Sequence, residues 1–163
     1  MLSKEQDLIL TNLAKIEIGI SKIYQWLSKC DNFTKPVKKF WKTIAEEELM
    51  HAKVFNEIQS KANTDKSFQV DIFIDNNQLK LFVNKINKLV KLINEKDSSG
   101  LETYKHESEA YKLGASIEGT LDENNFFRKI KVNDADFAQK IQQIENDTKK
   151  HNMIMINYSR GIK

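Results

Sequence analysis

The sequence predicts an all-α fold, a four-helix bundle with an extra helix in a long crossover between its second and third helices. Three observations predict it. Proline occurs once and glycine five times in 163 residues, among many Lys, Glu, Ile, Leu, Asn and Gln, a composition for long helices with short connections. Apolar residues recur in alternating steps of three and four on several separate segments, the spacing of bundle helices. The connection between the second and third long segments is much longer than the others and leaves room for a crossover. The length fits one domain spanning residues 1–163 with a sizeable core.

The first segment, about residues 4–29, carries Leu10, Leu13, Glu17, Ile20, Tyr24 and Leu27 on one stripe. A polar break at Asp31-Asn32-Phe33-Thr34 follows, and Pro36 suits the first turn of a second helix, about 36–61. Its stripe runs Val37, Trp41, Ile44, Glu48, His51, Phe55, Ile58. From Asn63 to Ile74 the helical period is lost, and alternation of Val70, Ile72 and Ile74 allows an extended crossover strand. Asp75 followed by Gln78 resembles a capping box that opens the shorter helix, about 76–95, with Leu79, Phe82, Ile86, Leu89 and Ile93 on one face. Asp97-Ser98-Ser99-Gly100 breaks the chain again, with Ser98 or Ser99 as cap for a helix over about 100–127. Asn133 or Asp134 caps the last, about 134–158, striped by Phe137, Ile141, Ile144, Thr148, His151, Met155 and Tyr158.

Several function classes are disfavoured. The net charge of +3 is mild and no basic stripe with interleaved aromatics occurs, so no nucleic-acid partner is expected. The N-terminus has charges where a signal peptide needs its apolar run, and no stretch approaches the roughly 18 apolar residues of a membrane span. A cytoplasmic protein without membrane contact is expected. Cys30 is the only cysteine, which excludes a disulfide within the chain and any four-cysteine metal site. It reads as a small residue near a helix end.

Two polar residues break the core pattern. Glu48 and His51 form a Glu-x-x-His step, so they project side by side from one helical face. Both sit where the stripe calls for apolar side chains, and a carboxylate with an imidazole in a helical core needs compensation. A bound metal ion is one such compensation. An internal repeat extends the pattern. Ala14-Lys15-Ile16-Glu17 matches Ala115-Ser116-Ile117-Glu118, and Glu17 lies 34 positions before His51 while Glu118 lies 33 before His151. The second half therefore reads as a diverged copy of the first.

One inward Glu on each of two helices, with Glu-x-x-His on others, is the ligand pattern of di-iron carboxylate bundles. On Glu17 with Tyr24 seven positions later, Glu48-x-x-His51, Ala115-x-x-Glu118 and His151, the chain resembles the rubrerythrin and ferritin-like superfamily from Leu8 to Tyr158. The resemblance implies a ferritin-like bundle in which Glu17, Glu48, His51, Glu118 and His151 ligate two metal ions. It implies that Tyr24 hydrogen-bonds to a ligand carboxylate. Two irons per chain are expected, although manganese or zinc suits the same donors. The single cysteine leaves no rubredoxin-type iron site in this sequence, so electrons are expected from an external donor or from Fe2+ itself. Oxygen or peroxide is the expected small-molecule substrate, and a homodimer the expected assembly.

The sequence departs from the family at one place. The second Glu-x-x-His is Thr148-Lys149-Lys150-His151, with a hydroxyl where a carboxylate is expected. Two divalent ions bring four positive charges against three from Glu17, Glu48 and Glu118. The second ion should bind more weakly, or Glu145 or Asp122 should assist. Among the remaining polar residues, Glu46 and Glu47 lie off the stripe and read as solvated. His106 reads as facing water, Lys149 and Lys150 as flanking, and Tyr24 and Trp41 as core residues first. The expected activity is ferrous-iron oxidation or peroxide reduction at a dinuclear centre. Alternatives are a binding or scaffolding bundle with one metal or none, and an iron-storage cage.

Overall fold

A computed structural model describes residues 1–97 and 106–161, and among them the chain is mostly helical. The helices are α1 (Lys4–Leu27), α2 (Lys35–Thr64), α3 (Asn76–Asp97), α4 (Glu107–Glu123) and α5 (Ala135–Ser159), with two short strands, β1 (Val70–Ile72) and β2 (Ile130–Val132). None of the described helices is long and apolar enough to cross a membrane.

Local chemistry sets the helix ends. Ser3 Oγ accepts the Gln6 N–H at 3.1 Å while the Gln6 side chain accepts the Ser3 N–H at 2.9 Å, a reciprocal cap on α1. Pro36 lies in the first turn of α2, where its missing N–H has no helical partner to lose. At the start of α3 the Asp75 carboxylate accepts the Asn77 N–H at 2.8 Å. Asp134 caps α5 through the N–H groups of Asp136 and Phe137. The expected break and caps at Ser98, Ser99 and Gly100, with the start of the helix expected at 100, lie outside the described residues.

α4 ends at Glu123 rather than 127. Asn124 is its C-cap, and Asn125 adopts a left-handed φ of 51°, a conformation that stops helices and that asparagine tolerates. Phe126 and Phe127 then turn into the core through a short 3-10 segment, Phe127–Lys129, which leads into β2. β2 pairs antiparallel with β1, Val70 opposite Val132, Asp71 opposite Lys131 and Ile72 opposite Ile130. The crossover is therefore pinned to the segment before α5. Asn133 reinforces the pin, accepting from Gln69 N–H and donating to the Ser67 carbonyl, both at 2.8 Å.

α1 packs along α2 and α3, α4 along α5, and α5 reaches α2. The expected stripes of α1 and α2 are wholly buried, each large apolar side chain contributing about 1.5–3 kcal/mol relative to exposure. Two glycines permit close approach. A Cβ on Gly19 would fall onto Ile86, and one on Gly114 onto Met155 and within 2.9 Å of the Trp41 ring. α3 buries Leu79, Phe82 and Ile86, with Leu89 and Ile93 partly covered. The α5 stripe is buried from Ile141 to Met155, but Tyr158, expected inside, stands 42% exposed. Cys30 is buried just after α1, and burial pushes its thiol up to about 11.

Candidate metal centre

Each helix stripe delivers its polar exception to one place. Glu17 from α1, Glu48 and His51 from α2, Glu118 from α4 and His151 from α5 are all buried. They form two triads, Glu17–Glu48–His51 and Glu48–Glu118–His151, in each of which one ligand-type atom per residue lies within 4.8 Å of the others. Glu48 belongs to both. Its Oε2 meets His51 Nδ1 at 3.0 Å, and its Oε1 lies 3.1 Å from His151 Nδ1. The two imidazoles face each other with ring centres 6.5 Å apart and planes 24° from parallel.

The electrostatics show a cluster short of positive charge. Three carboxylates are buried together; both Glu17 oxygens and Glu118 Oε2 lack hydrogen-bond partners, and Glu48 Oε1 and His151 Nδ1 have only their ion pair with each other. Burying such atoms unpaired is costly, so something must neutralise them. Protons are one answer. Burial, then the charge of Glu48, pushes Glu17 well above the usual carboxylate range and Glu118 up to about 8. Burial opposes charge on Glu48 as well, but contact with His151 and His51 outweighs it and holds Glu48 well below the usual range. Burial likewise works against a charged His151, yet Glu48 and then Glu118 raise it to about 9. Cations are the other answer. Converging carboxylates, some with oxygens unpartnered, beside two imidazoles are donor types that suit a transition metal, and these buried Glu and His groups could hold a metal ion once it displaces the protons.

The outer atoms of both histidines are held from the opposite half of the chain. His151 Nε2 is 2.8 Å from Glu47 Oε2, and His51 Nε2 is 3.5 Å from Asp147 Oδ2. Each imidazole thus turns Nδ1 toward Glu48 and Nε2 toward an outer carboxylate, which fixes ring orientation. Glu47 therefore does not merely face water as its place off the stripe implies, although Glu46 is exposed. A helical residue beside the stripe still reaches across when a partner helix lies on that flank. The repeat carries a signal for both acids: Glu47 and Asp147 each stand four residues before their half's histidine.

The other candidates divide. The Tyr24 hydroxyl donates to Glu118 Oε1 at 2.6 Å, and burial, then Glu118, raises its phenol well above the usual value. Thr148 is buried on the His151 face of α5. Glu145 is committed elsewhere, to Arg128 Nε at 2.5 Å and to Lys149 Nζ; burial would raise its carboxyl, but these cations outweigh that and lower it. Asp122, half-buried, is in neither triad. His106 is exposed as expected. Lys150 is exposed too, whereas Lys149 is partly covered.

An open groove of about 370 Å³ between α2 and α5 runs to the outer side of His51, lined by Glu47, Met50, Val54, Ile144 and Asp147 among others. A small molecule or hydrated ion fits a space of that size. In comparison with known proteins, no family model, curated protein or solved structure matches the chain.

Proposed function

We propose that this protein is a rubrerythrin-like, non-haem dinuclear metal oxidoreductase on a ferritin-like four-helix bundle, with α3 in the crossover, that oxidises ferrous iron or reduces peroxide. The observation that carries the reading is the pair of buried triads sharing Glu48, with carboxylate oxygens left unpartnered. Iron, when bound there, supplies one-electron redox changes and coordination positions open to oxygen or peroxide.

The chain's own residues do the rest. Glu17 and Glu118 would each serve one ion, and Glu48, with an oxygen toward each histidine, would serve both. His51 and His151 would bind through Nδ1; His151 would keep a proton on Nε2, donated to Glu47, while His51 Nε2 faces Asp147 at 3.5 Å. Tyr24 holds Glu118 by one oxygen and leaves the other for an ion. The groove at His51 gives small reactants a way in, while the apolar core of Ile16, Ile20, Trp41 and Phe55 keeps bulk water from the helix interior. A cytoplasmic homodimer with an external electron donor completes the reading, on the family resemblance.

Metal content per chain after anaerobic loading with Fe2+ and desalting tests it. Two irons per chain are the expected result. None would overturn the reading. A second reading, a scaffolding bundle with one metal or none, is favoured by Thr148, which leaves three carboxylates to balance two divalent ions. One iron per chain with no peroxide turnover would establish it instead.

A further inference from the structure

A file of aromatic rings leaves the cluster on the Glu118 side. Tyr24, hydrogen-bonded to Glu118, has its ring centre 5.1 Å from that of Trp41. Trp41 lies 5.2 Å from Tyr111, and Tyr111 stacks on Tyr158 at 5.0 Å with 20° between planes. Exposure rises along the file, from none at Tyr24 and Trp41 to 3% at Tyr111 and 42% at Tyr158. The composition of the file is unlike that of the core. The chain has nine Phe against four Tyr and two Trp, yet all four members are phenol or indole, the ring types that give up an electron most readily. Phe40 touches Trp41, Tyr111 and Tyr158 from the side, with no member of the series depending on it.

The geometry points to a one-electron relay, Tyr24–Trp41–Tyr111–Tyr158, connecting the metal cluster to a small one-electron reductant at the surface. The inference rests on the metal-centre reading above. Peroxide needs two electrons and two protons to become two waters. Two ferrous ions would supply both electrons, but Thr148 leaves three carboxylates to balance two divalent ions, and a chain holding a single ion lacks the second electron. There a bound ferrous ion would supply peroxide with one electron, becoming ferric, and Tyr24 would supply the other. The O–O bond breaks, the phenolic proton and one proton from solvent complete two waters, and a neutral tyrosyl radical remains. Electrons then pass inward from Tyr158 through Tyr111 and Trp41. Tyr24 regains a proton, and Tyr158 releases one at the surface. A reductant of the ascorbate class returns a hydrogen atom to Tyr158. The relay thereby carries the unmatched oxidising equivalent out of the core instead of leaving it to attack side chains at random.

The test loads the full chain with one Fe2+, measures retained iron, adds peroxide, and follows the radical by electron paramagnetic resonance after freezing, with and without ascorbate. The relay predicts a tyrosyl signal that ascorbate removes rapidly. Tyr158→Phe, at an exposed position, should slow that removal by an order of magnitude, while Phe40→Leu should leave it unchanged. Equal removal rates in wild type and Tyr158→Phe would overturn the relay and, with iron retained, leave the metal reading standing. A second arm uses iron-free protein and a photogenerated ruthenium(III) oxidant in solution. There the relay predicts a radical component that Tyr24→Phe abolishes and that Trp41→Phe or Tyr111→Phe also removes. Its absence overturns the relay. Its presence in a protein that retains no iron supports the relay while the metal reading fails.

Discussion

Glu48 is the residue on which both triads depend, and the chemistry around it makes the sharpest predictions. His51→Ala should lower metal affinity far more than His106→Ala, because His51 is in a buried triad and His106 is exposed; equal losses in a metal titration would sink the assignment. Glu47→Gln should weaken metal binding by about 10- to 100-fold, the usual effect of removing a carboxylate that orients a ligating histidine. Thr148→Glu should raise occupancy of the second ion, and unchanged stoichiometry would mean that the charge deficit is met elsewhere. The protons in the cluster make the metal-free protein sensitive to pH. Glu118 is raised by burial and by Glu48 from 4.5 to about 8, so the folded state keeps a proton that the unfolded chain has released. The stability this contributes is complete below the unfolded value and is lost as pH rises through about 8. His151 acts in the same direction, its value lifted by Glu48 and Glu118 against burial from 6.5 to about 9. The urea midpoint of the metal-free protein should therefore fall between pH 6.5 and 9, while metal uptake strengthens over that range as ions displace the protons. A flat midpoint would contradict the charge distribution described above.

At the scale of elements, close helix packing is the property to probe. Gly114 lets α4 approach the Trp41 ring and Met155, so Gly114→Ala should destabilise by about 1–3 kcal/mol through overpacking. Gly119, five residues on, is the control. A Cβ there meets only the Asn152 amide at 3.7 Å, so Gly119→Ala should be neutral or stabilise by up to about 1 kcal/mol. Comparable losses at both positions in denaturant titrations would reject the packing argument. Elements were legible in the sequence where the helical period ran long. α1, α2, α3 and α5 follow their expected stripes within a few residues at each end. β2 and the end of α4 were not. Three residues of alternation in Ile130-Lys131-Val132 are too few to stand out, and they form a strand because β1 is brought alongside. The left-handed Asn125 is equally a conformation that the apolar period does not report.

At the scale of the whole molecule, the cluster ties the two helical pairs together. Tyr24 bonds to Glu118, Glu47 to His151, and His51 approaches Asp147, so each half completes the other's polar shell. A metal bound only by the folded assembly should therefore stabilise all of it. At a metal concentration about 100 times the dissociation constant the gain is about 2.7 kcal/mol, or about 5–10 °C in unfolding temperature for a chain of this size. Glu48→Gln should abolish the shift, and a shift that survives it would place the bound metal elsewhere.

Periodicity put Glu17, Glu48, His51 and His151 on inward faces, because the angle between side chains along a helix is a local property of the backbone, and the internal repeat added Glu118. The repeat then implied that those faces meet. Which acids hold the histidines from outside, that Glu145 is taken up by Arg128 and Lys149, and that Tyr158 ends an aromatic file at the surface were decided only in three dimensions. Each depends on the lateral placement of one helix against another. That placement follows from close packing at residues such as Gly114, Trp41 and Met155 and has no period in the chain.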